Sequence, residues 1–534
     1  MKSHPTRFWW TVVALGWAFD FLFWRQRPGI NFGLYVLLCL GAGFWLLRSD
    51  GHRPARSIWL LAALAAFFAC LVCLREEPMT VFLAVVLTLF LMGVMAVSFM
   101  GGRWPAYSLL DYLGKFLQLG GSMVARPLTF NAEVKERLRQ VEQAQAESRS
   151  GARRGVSQAW AVVRGVVIAL PILALFASLL ASADLVFGQR LKDFLQLFDI
   201  EKLPEYIFRL GYILVGAYLL AGVFLHAAAH SQDEKLSGQD KAVLPPFLGF
   251  TEAVIVLGSV AVLFAAFVAV QFQYFFGGQA NIHLEGYTYS EYARRGFGEL
   301  VSVAFFSLLL ILGAGSVTRR ETKTQRRLFS GLGAGIVALT LVILVSAFQR
   351  LTLYETAYGF SRLRTYTHVF MVWLGLLLAV TVVLEMAHRE RAFTLAAMLA
   401  SLGFAASLSL INVDGFIVRQ NVNRAQAGES LDVDYLMELS DDAIPALAAA
   451  YRTQPLPASV KEGIGAALAC SAANRRAEEV PPSWRSFHVA RWNADRILGN
   501  LRIELEAYKV KDEDWSQQVI APSGQEYFCY RFWD

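Results

Sequence analysis

The sequence predicts an all-α integral membrane protein with about eleven transmembrane helices and a small helical soluble domain at its C-terminal end. Of its 534 residues, 56% are hydrophobic and only 17% are charged, and its mean hydropathy is +0.43. Soluble globular chains carry more charge than this. With 13% aromatic residues, 16 prolines and 5 cysteines, the chain is also unlike disordered, collagen-like or disulfide-scaffold proteins.

Eleven apolar stretches meet or nearly meet the length of about 20 residues that a helix needs to cross roughly 30 Å of hydrocarbon. They are 8–24, 29–47, 57–74, 79–100, 159–187, 211–230, 248–276, 299–317, 328–349, 370–387 and 394–411. The first stretch is rich in bulky aromatic residues, and no small-residue cleavage site follows it. We therefore expect it to remain in the protein and not to act as a cleaved signal peptide.

These stretches divide the chain into four parts. We expect a four-helix membrane part at 1–100, a cytoplasmic loop at 101–158, a seven-helix membrane core at 159–411 and an extracytoplasmic helical domain at 412–534. The loop combines aromatic residues suited to the bilayer edge (Trp104, Tyr107, Tyr112 and Phe116) with a charged helix from about Asn131 to Ser148. The last part carries a net charge of −5, against +11 for residues 1–411, and its apolar periodicity predicts helices followed by an irregular tail.

The orientation follows from Lys and Arg, which accumulate in short cytoplasmic loops. With the N-terminus inside, the inner segments carry 23 basic residues and the outer segments 12, although nine of the 23 lie in the 101–158 loop. The loop from Arg319 to Arg327 holds five basic residues and one acid, and three predicted spans follow it. We therefore expect a multi-pass cell-membrane protein with its N-terminus in the cytoplasm and its C-terminus outside.

Charged and aromatic residues at the outer ends of the spans form the candidate ligand-binding site. They are Asp184, Glu291, Arg295, Tyr354, Glu355, Arg362, Arg364, His368, Asp414 and Asn421. The guanidinium group of arginine can donate two parallel hydrogen bonds to a carboxylate or phosphate group. Tyrosine is common at the depth of the lipid headgroups. Two roles are open: the cluster binds an anionic group such as a lipid headgroup, or its arginines pair with its acids and tie loops and helices together.

Other candidate chemistry is sparse. His226 and His230 share a helix face, but no third ligand is evident, so capping of the helix end is favoured over metal binding. Without a nucleotide loop, zinc motif or nucleophile elbow, the sequence predicts no metal, no cofactor and no nucleic-acid partner. Cys470 and Cys529 lie in the C-terminal domain, where an oxidising location allows a disulfide; alternatively, Cys470 only faces the core of its helical run.

Several segments carry a family resemblance. They are Leu170-Pro-Ile-Leu, Ser182-Ala-Asp-Leu-Val-Phe, Gln273-Tyr-Phe-Phe-Gly-Gly, Tyr292-Ala-Arg-Arg-Gly-Phe, Tyr354 to Arg364, Asn412 to Asn421 and Leu431 to Ser440. In these segments the chain resembles a bacterial family of polytopic membrane proteins catalogued as a domain of unknown function, the 4153/4173 group. The resemblance implies a multi-span membrane protein and supplies no activity or catalytic residues.

Two classes of function are compatible with the sequence. The first is a non-enzymatic protein of the lipid bilayer that acts in transport, lipid handling or scaffolding, with the outer cluster binding an anionic group or holding the C-terminal domain. The second is a membrane-embedded transferase acting on a lipid-linked substrate, with Asp20, Asp184 or Glu291 as base. We favour the first, because the outer loop from Arg25 to Ile30 is too short for the acidic catalytic loop such transferases often carry.

Overall fold

The computed structural model describes residues 5–146, 173, 176, 180, 184, 189, 190, 202–232, 236, 246–276, 297–476, 483–513 and 516–529. The helices up to residue 411 are α1 (Pro5–Phe23), α2 (Ile30–Ser49), α3 (Arg56–Leu74), α4 (Pro78–Ser98), α5 (Leu109–Ala146), α6 (Leu203–His230), α7 (Phe250–Phe276), α8 (Phe297–Val317), α9 (Lys323–Tyr358), α10 (Arg362–Met386) and α11 (Phe393–Ile411). Within the described ranges, nine of them, all but α1 and α5, are long and apolar enough to cross a membrane. The protein is therefore a multi-pass α-helical membrane protein.

These nine helices coincide with nine of the eleven predicted spans. Residues 8–24 also form a helix, α1, which carries Arg7 and Asp20 and is not among the nine. The predicted span at 159–187 lies outside the described residues, apart from four single positions.

One compact unit comprises Met1–Phe21 and Gly120–His226. In it the buried carboxylate of Asp20 accepts hydrogen bonds from Arg209 at 2.9 and 2.5 Å and a further one from Tyr212. This pairing compensates a charge that lipid would make costly. His226 likewise has a protein partner, since its Nδ1 lies 2.8 Å from the Ser122 hydroxyl.

The other unit comprises Leu22–Leu119 and Ala227–Asp534. In its membrane part α3 and α4 form a hairpin, and α9 packs against α7, α8 and α10. Ile336, Ile343 and Leu351 of α9 are almost fully buried, and their spacing of seven and eight residues places them on one helix face. Large apolar side chains such as Val262 and Phe306 remain exposed, as expected of surfaces that face hydrocarbon.

The C-terminal domain follows α11 in the same unit. Its helices are α12 (Val413–Gln426), α13 (Val433–Met437), α14 (Ile444–Thr453), α15 (Ala458–Arg476), α16 (Val489–Asn500) and α17 (Arg502–Leu505), and its strands are β1 (Lys509–Glu513), β2 (Ser516–Ile520) and β3 (Glu526–Cys529). The strands form an antiparallel sheet in the order β1-β2-β3, with Val519 paired to Val510 and Tyr527. Ile464 and Leu468 of α15 and Val519 of the sheet belong to one buried core.

A single residue, Asn412, separates the last membrane helix from the domain. Its φ of +54° is left-handed, a conformation that asparagine tolerates better than most non-glycine residues. The Asn412 side chain caps α12 by accepting a hydrogen bond from the Gly415 N–H at 3.1 Å, and it donates to the Asp442 carbonyl at 3.2 Å. The chain thus changes direction at one capped residue.

Three features differ from the sequence expectations. The tail expected to be irregular forms the β1–β3 sheet, whose strands of four or five residues are too short to give a clear periodic signal. The charged helix expected from about Asn131 is not a separate helix. It is the last part of α5, which begins at Leu109 and continues through Pro127. Trp104 and Tyr107, expected at the bilayer edge, are only 4% and 0% exposed because they pack inside the protein.

Cys470 of α15 and Cys529 of β3 form a disulfide in the structure, with their Cα atoms 5.7 Å apart. The bond links residues 59 positions apart, so in the chain-entropy model it disfavours the unfolded chain by about 4 kcal/mol. It attaches the sheet to the central helix of the domain.

We expect Cys470→Ser and Cys529→Ser each to lower the free energy of unfolding by about 2–4 kcal/mol, measured by thermal unfolding of protein purified without reductant. Cys70→Ser is the control, because Cys70 is free and exposed on α3. Labelling of both Cys470 and Cys529 by a thiol reagent in unreduced, unfolded protein from oxidising cells would contradict the prediction.

Candidate functional site

The C-terminal domain rests on one set of helix ends, which we call the domain face. It consists of the C-terminal ends of α3, α9 and α11 and the N-terminal ends of α2, α4 and α10; the Ile30 N–H of α2 donates to the Phe487 carbonyl at 3.0 Å. Backbone and side-chain hydrogen bonds join the other ends to α12, α13 and the turn Asp441–Ala443. Most of the candidate residues from the sequence lie here.

A bidentate ion pair between Arg362 and Asp414 lies at the centre of the domain face. Arg362 is the first residue of α10, and its Nε and Nη2 donate to the two Asp414 oxygens at 2.8 and 2.6 Å. Asp414 is fully buried and also accepts from the Ser440 N–H at 2.8 Å. The Arg362 N–H donates to the Tyr435 hydroxyl at 2.8 Å. The N-terminal end of α10 is thus bonded to α12 and α13 of the domain, and Ser440 joins the same carboxylate from within the domain.

Asn421 and Arg424 of α12 bind the turn between α9 and α10. The Asn421 side chain accepts from the Phe360 N–H at 2.7 Å and donates to the Phe360 carbonyl at 3.0 Å. Arg424 donates to the carbonyls of residues 356 and 357 at 3.0 and 3.2 Å, which a helix C-terminus leaves without intrahelical partners. Gly359 has a φ of +83°, and a Cβ there would lie 2.9 Å from the Asn421 side chain. This close approach requires glycine.

Asp442 forms a second attachment, at the turn between α3 and α4. It is buried, and its carboxylate accepts from Arg75 Nη1 at 3.2 Å and from the N–H groups of Glu76 and Glu77 at 2.7 and 3.1 Å. Arg75 Nε also donates to the Ser409 carbonyl at the end of α11, at 2.8 Å. The domain is therefore bound to the α3–α4 hairpin as well as to α10.

Glu77 connects that hairpin to α10. Its carboxylate caps α4 by accepting from the N–H groups of Met79 and Thr80 at 3.0 and 2.8 Å, and it accepts a hydrogen bond from the Tyr366 hydroxyl. The two attachments of the domain are thus joined through α10.

Glu76 is a half-buried residue beside Asp441, and one of its carboxyl oxygens is fully buried. Burial, the charge of Asp441 and a hydrogen bond with it raise the pKa of Glu76 to about 8, although Arg491 and Arg475 oppose the shift. Arg475 pairs with Asp441 and with Asp495. At neutral pH the folded protein therefore holds Glu76 largely in its neutral form.

A pocket of about 470 Å³ opens beside the domain face, between α9, α10 and α12. Glu355 is 2% exposed; its Oε2 lies 3.3 Å from His368 Nδ1, and its Oε1 has no hydrogen-bond partner among the described residues. His368 Nε2 lies 3.4 Å from the Thr352 hydroxyl. The remaining walls are largely apolar, with Phe348, Phe360, Val369, Ile411 and Phe416. A carboxylate, an imidazole and a hydroxyl thus lie next to one another at the pocket, and the Thr352 hydroxyl donates its proton to the Phe348 carbonyl at 3.0 Å.

The structure brings seven of the ten predicted site residues to the domain face or to the pocket beside it: Tyr354, Glu355, Arg362, Arg364, His368, Asp414 and Asn421. Arg364 donates to the Gly359 carbonyl and lies over the Tyr354 ring at 4.2 Å. Asp184 is exposed and belongs to the other unit. Glu291 and Arg295 lie outside the described residues.

Arg75, Glu77 and Asp442 also belong to the site but were not among the residues predicted from the sequence. The run from Arg75 to Pro78 between two spans carried a usable signal, because an acid followed by proline is typical of a capped helix start. No local pattern could indicate Asp442, because its partner Arg75 is 367 positions away in the chain.

The fold and the domain face together define the class, a polytopic α-helical membrane protein with a C-terminal domain bonded to its helix ends. Residues 55–450 match the family model described as Domain of unknown function (DUF4153). The chain therefore belongs to this family. The matched range contains both partners of the Arg362–Asp414 and Arg75–Asp442 pairs. No curated protein and no solved structure matches the chain.

Removal of one partner from a buried ion pair leaves the other charge uncompensated. We expect Arg362→Ala to lower the free energy of unfolding by about 3–5 kcal/mol, and Arg362→Ala/Asp414→Ala to lower it by less than the sum of the single changes. Thermal unfolding in detergent measures both effects. Arg419→Ala is the matched control, because Arg419 is exposed on α12; strictly additive losses would contradict the coupling.

The raised pKa of Glu76 predicts a pH-dependent stability. Between its ordinary pKa and about pH 8, the folded state holds a proton that the unfolded chain releases. Stability therefore falls as pH rises through this range, by up to about 1.4 kcal/mol per pH unit.

Glu76→Gln keeps a neutral side chain at this position and removes the proton linkage. We expect the variant to unfold at a higher temperature than the wild type at the upper end of this range, and to lose most of that advantage at the lower end. Glu438→Gln, at an exposed position, should follow the wild type throughout. A constant difference between Glu76→Gln and wild type at every pH would refute the shift.

Proposed function

We propose that this protein is a non-enzymatic membrane scaffold that holds its C-terminal domain in a fixed orientation at the extracytoplasmic surface. The observation that carries this proposal is the Arg362–Asp414 ion pair, with its further bonds to Ser440 and Tyr435. The second attachment, at Arg75 and Asp442, restrains rotation about the first. Of the three non-enzymatic roles considered from the sequence, namely transport, lipid handling and scaffolding, these contacts support scaffolding.

The arginines of the domain face have two candidate roles, and the contacts favour attachment over binding of an anionic ligand. The Arg362 fork is occupied by Asp414, and Arg364 donates to the Gly359 carbonyl. An anion at Arg362 would have to displace a fully buried carboxylate, which would then lose its compensating charge.

Spin labels can test whether the domain is held rigidly. Cysteines introduced at Leu363 on α10 and Ile503 on α17, which are 72% and 85% exposed, provide one site on each side of the attachment. With Cys39, Cys70 and Cys73 replaced by serine, pulsed EPR should give one narrow distance distribution. Arg75→Ala/Arg362→Ala should broaden it, whereas Arg419→Ala should leave it unchanged. A broad distribution in the otherwise unchanged protein would contradict the scaffold role.

The orientation rests on α9, which begins at the basic loop and ends at the domain face. Because basic loops stay in the cytoplasm, this supports an extracytoplasmic domain and, by the predicted alternation of spans, a cytoplasmic N-terminus. We expect a periplasm-active phosphatase fused to the C-terminus to be active, and the same reporter inserted between Glu321 and Thr322 to be inactive. The reverse pattern would place the domain in the cytoplasm.

A second candidate function is a membrane-embedded transferase acting on a lipid-linked substrate. The pair of Glu355 and His368 in an apolar-walled pocket supports it, with His368 in place of the carboxylate base expected from the sequence. Mass spectrometry of lipids incubated with the purified protein tests this candidate. Headgroup turnover that is lost in His368→Gln would favour the transferase, and unchanged lipids would favour the scaffold.

A further inference from the structure

A second pocket lies at the other end of α9, away from the domain face. Its volume is about 570 Å³, and it is formed by the first turns of α9 and the end of α10. Four basic side chains line it, those of Lys323, Arg326, Arg327 and His388. The proposed scaffold role does not use this pocket.

The positive charge of the pocket is largely uncompensated by the protein. Within the described part of the chain, Lys323, Arg327 and His388 make no side-chain hydrogen bond or ion pair. Of the acids near the pocket, Glu385 is paired with Arg320, and Glu321, two residues before Lys323, is exposed, so four basic side chains outnumber the acids. The N-terminus of α9, with its partial positive charge, points to the same side. Four basic side chains that line one pocket favour binding of an anion.

The pocket continues from these charges into apolar surface. Gly331 lies two turns along α9 from Lys323, about 12 Å at the helical rise, and Met386 lies opposite on α10. Met386 is 63% exposed, and Leu328 of α9 is 50% exposed, as expected at hydrocarbon depth. A Cβ built on Gly331 would meet no atom within 4 Å, so the groove is open there.

We propose that this pocket binds the phosphate of an anionic phospholipid. Lys323, Arg327 and His388 contact the headgroup, and an acyl chain lies along Gly331 and Met386. Basic pockets between transmembrane helices recognise acidic headgroups through this combination of charge and apolar surface. Inorganic phosphate could make the same contacts with the basic side chains, but it has no acyl chain to contact Gly331 and Met386.

The test is a titration of the purified full-length protein with short-chain phosphatidylglycerol, phosphatidylcholine of the same chain length, or inorganic phosphate. We expect saturable binding of phosphatidylglycerol and weaker binding of the other two. Each Lys or Arg near a headgroup contributes about fivefold to affinity, so Lys323→Gln/Arg327→Gln should weaken phosphatidylglycerol binding roughly 25-fold. Arg53→Gln/Arg56→Gln removes two exposed charges outside the pocket and should have no effect.

Gly331→Leu tests the apolar part of the pocket separately. The open space at Gly331 accepts the larger side chain, and the leucine then fills the groove proposed for the acyl chain. It should weaken phosphatidylglycerol binding and leave the unfolding temperature unchanged. Equal affinity for phosphatidylglycerol and phosphatidylcholine would overturn the proposal. Inorganic phosphate binding as tight as phosphatidylglycerol, or a Gly331→Leu variant with wild-type affinity, would overturn the lipid assignment in favour of a free-phosphate site.

Discussion

The Arg362–Asp414 ion pair is the interaction on which the rest of the structure depends. A carboxylate with no solvent exposure is stable only if a charge and hydrogen bonds replace its lost hydration, and Asp414 obtains these from Arg362 and the Ser440 N–H. Because Arg362 begins α10 and Asp414 lies in the first turn of α12, satisfying one charge fixes the position of a membrane helix relative to the domain. The bonds of Asn421 and Arg424 to the α9–α10 turn are compatible with that one position.

Much of the fold was predictable from the sequence because lipid imposes strong constraints on composition. A span such as α9 must be apolar over its whole crossing length, so its presence is visible in a short window of sequence. The order of the spans also predicted that Arg362, Asp414 and Asn421 lie at the same membrane surface. The pairing of particular side chains was not predictable, because it depends on how helices distant in sequence pack. Arg75 and Asp442, which lie 367 positions apart, illustrate this limit.

Local signals were least informative where tertiary contacts override them. Pro127 is a helix breaker by local preference, yet it lies within the continuous helix α5, and Tyr107 is amphipathic, yet it is fully buried. Tertiary contacts also decide the role of Arg362 and Arg364. Their forked donors suit a foreign anion, and the sequence left this role open beside pairing with the acids of the cluster. In the structure Asp414 and the Gly359 carbonyl occupy donors of Arg362 and Arg364.

The capped residue Asn412 has a mechanical consequence. Successive Cα atoms are about 3.8 Å apart, so a connection of one residue between α11 and α12 has no slack to absorb movement. A rotation of the domain about this connection would have to change the backbone torsions of Asn412 or move α11 with it. The domain and α11 are therefore expected to move together as one body.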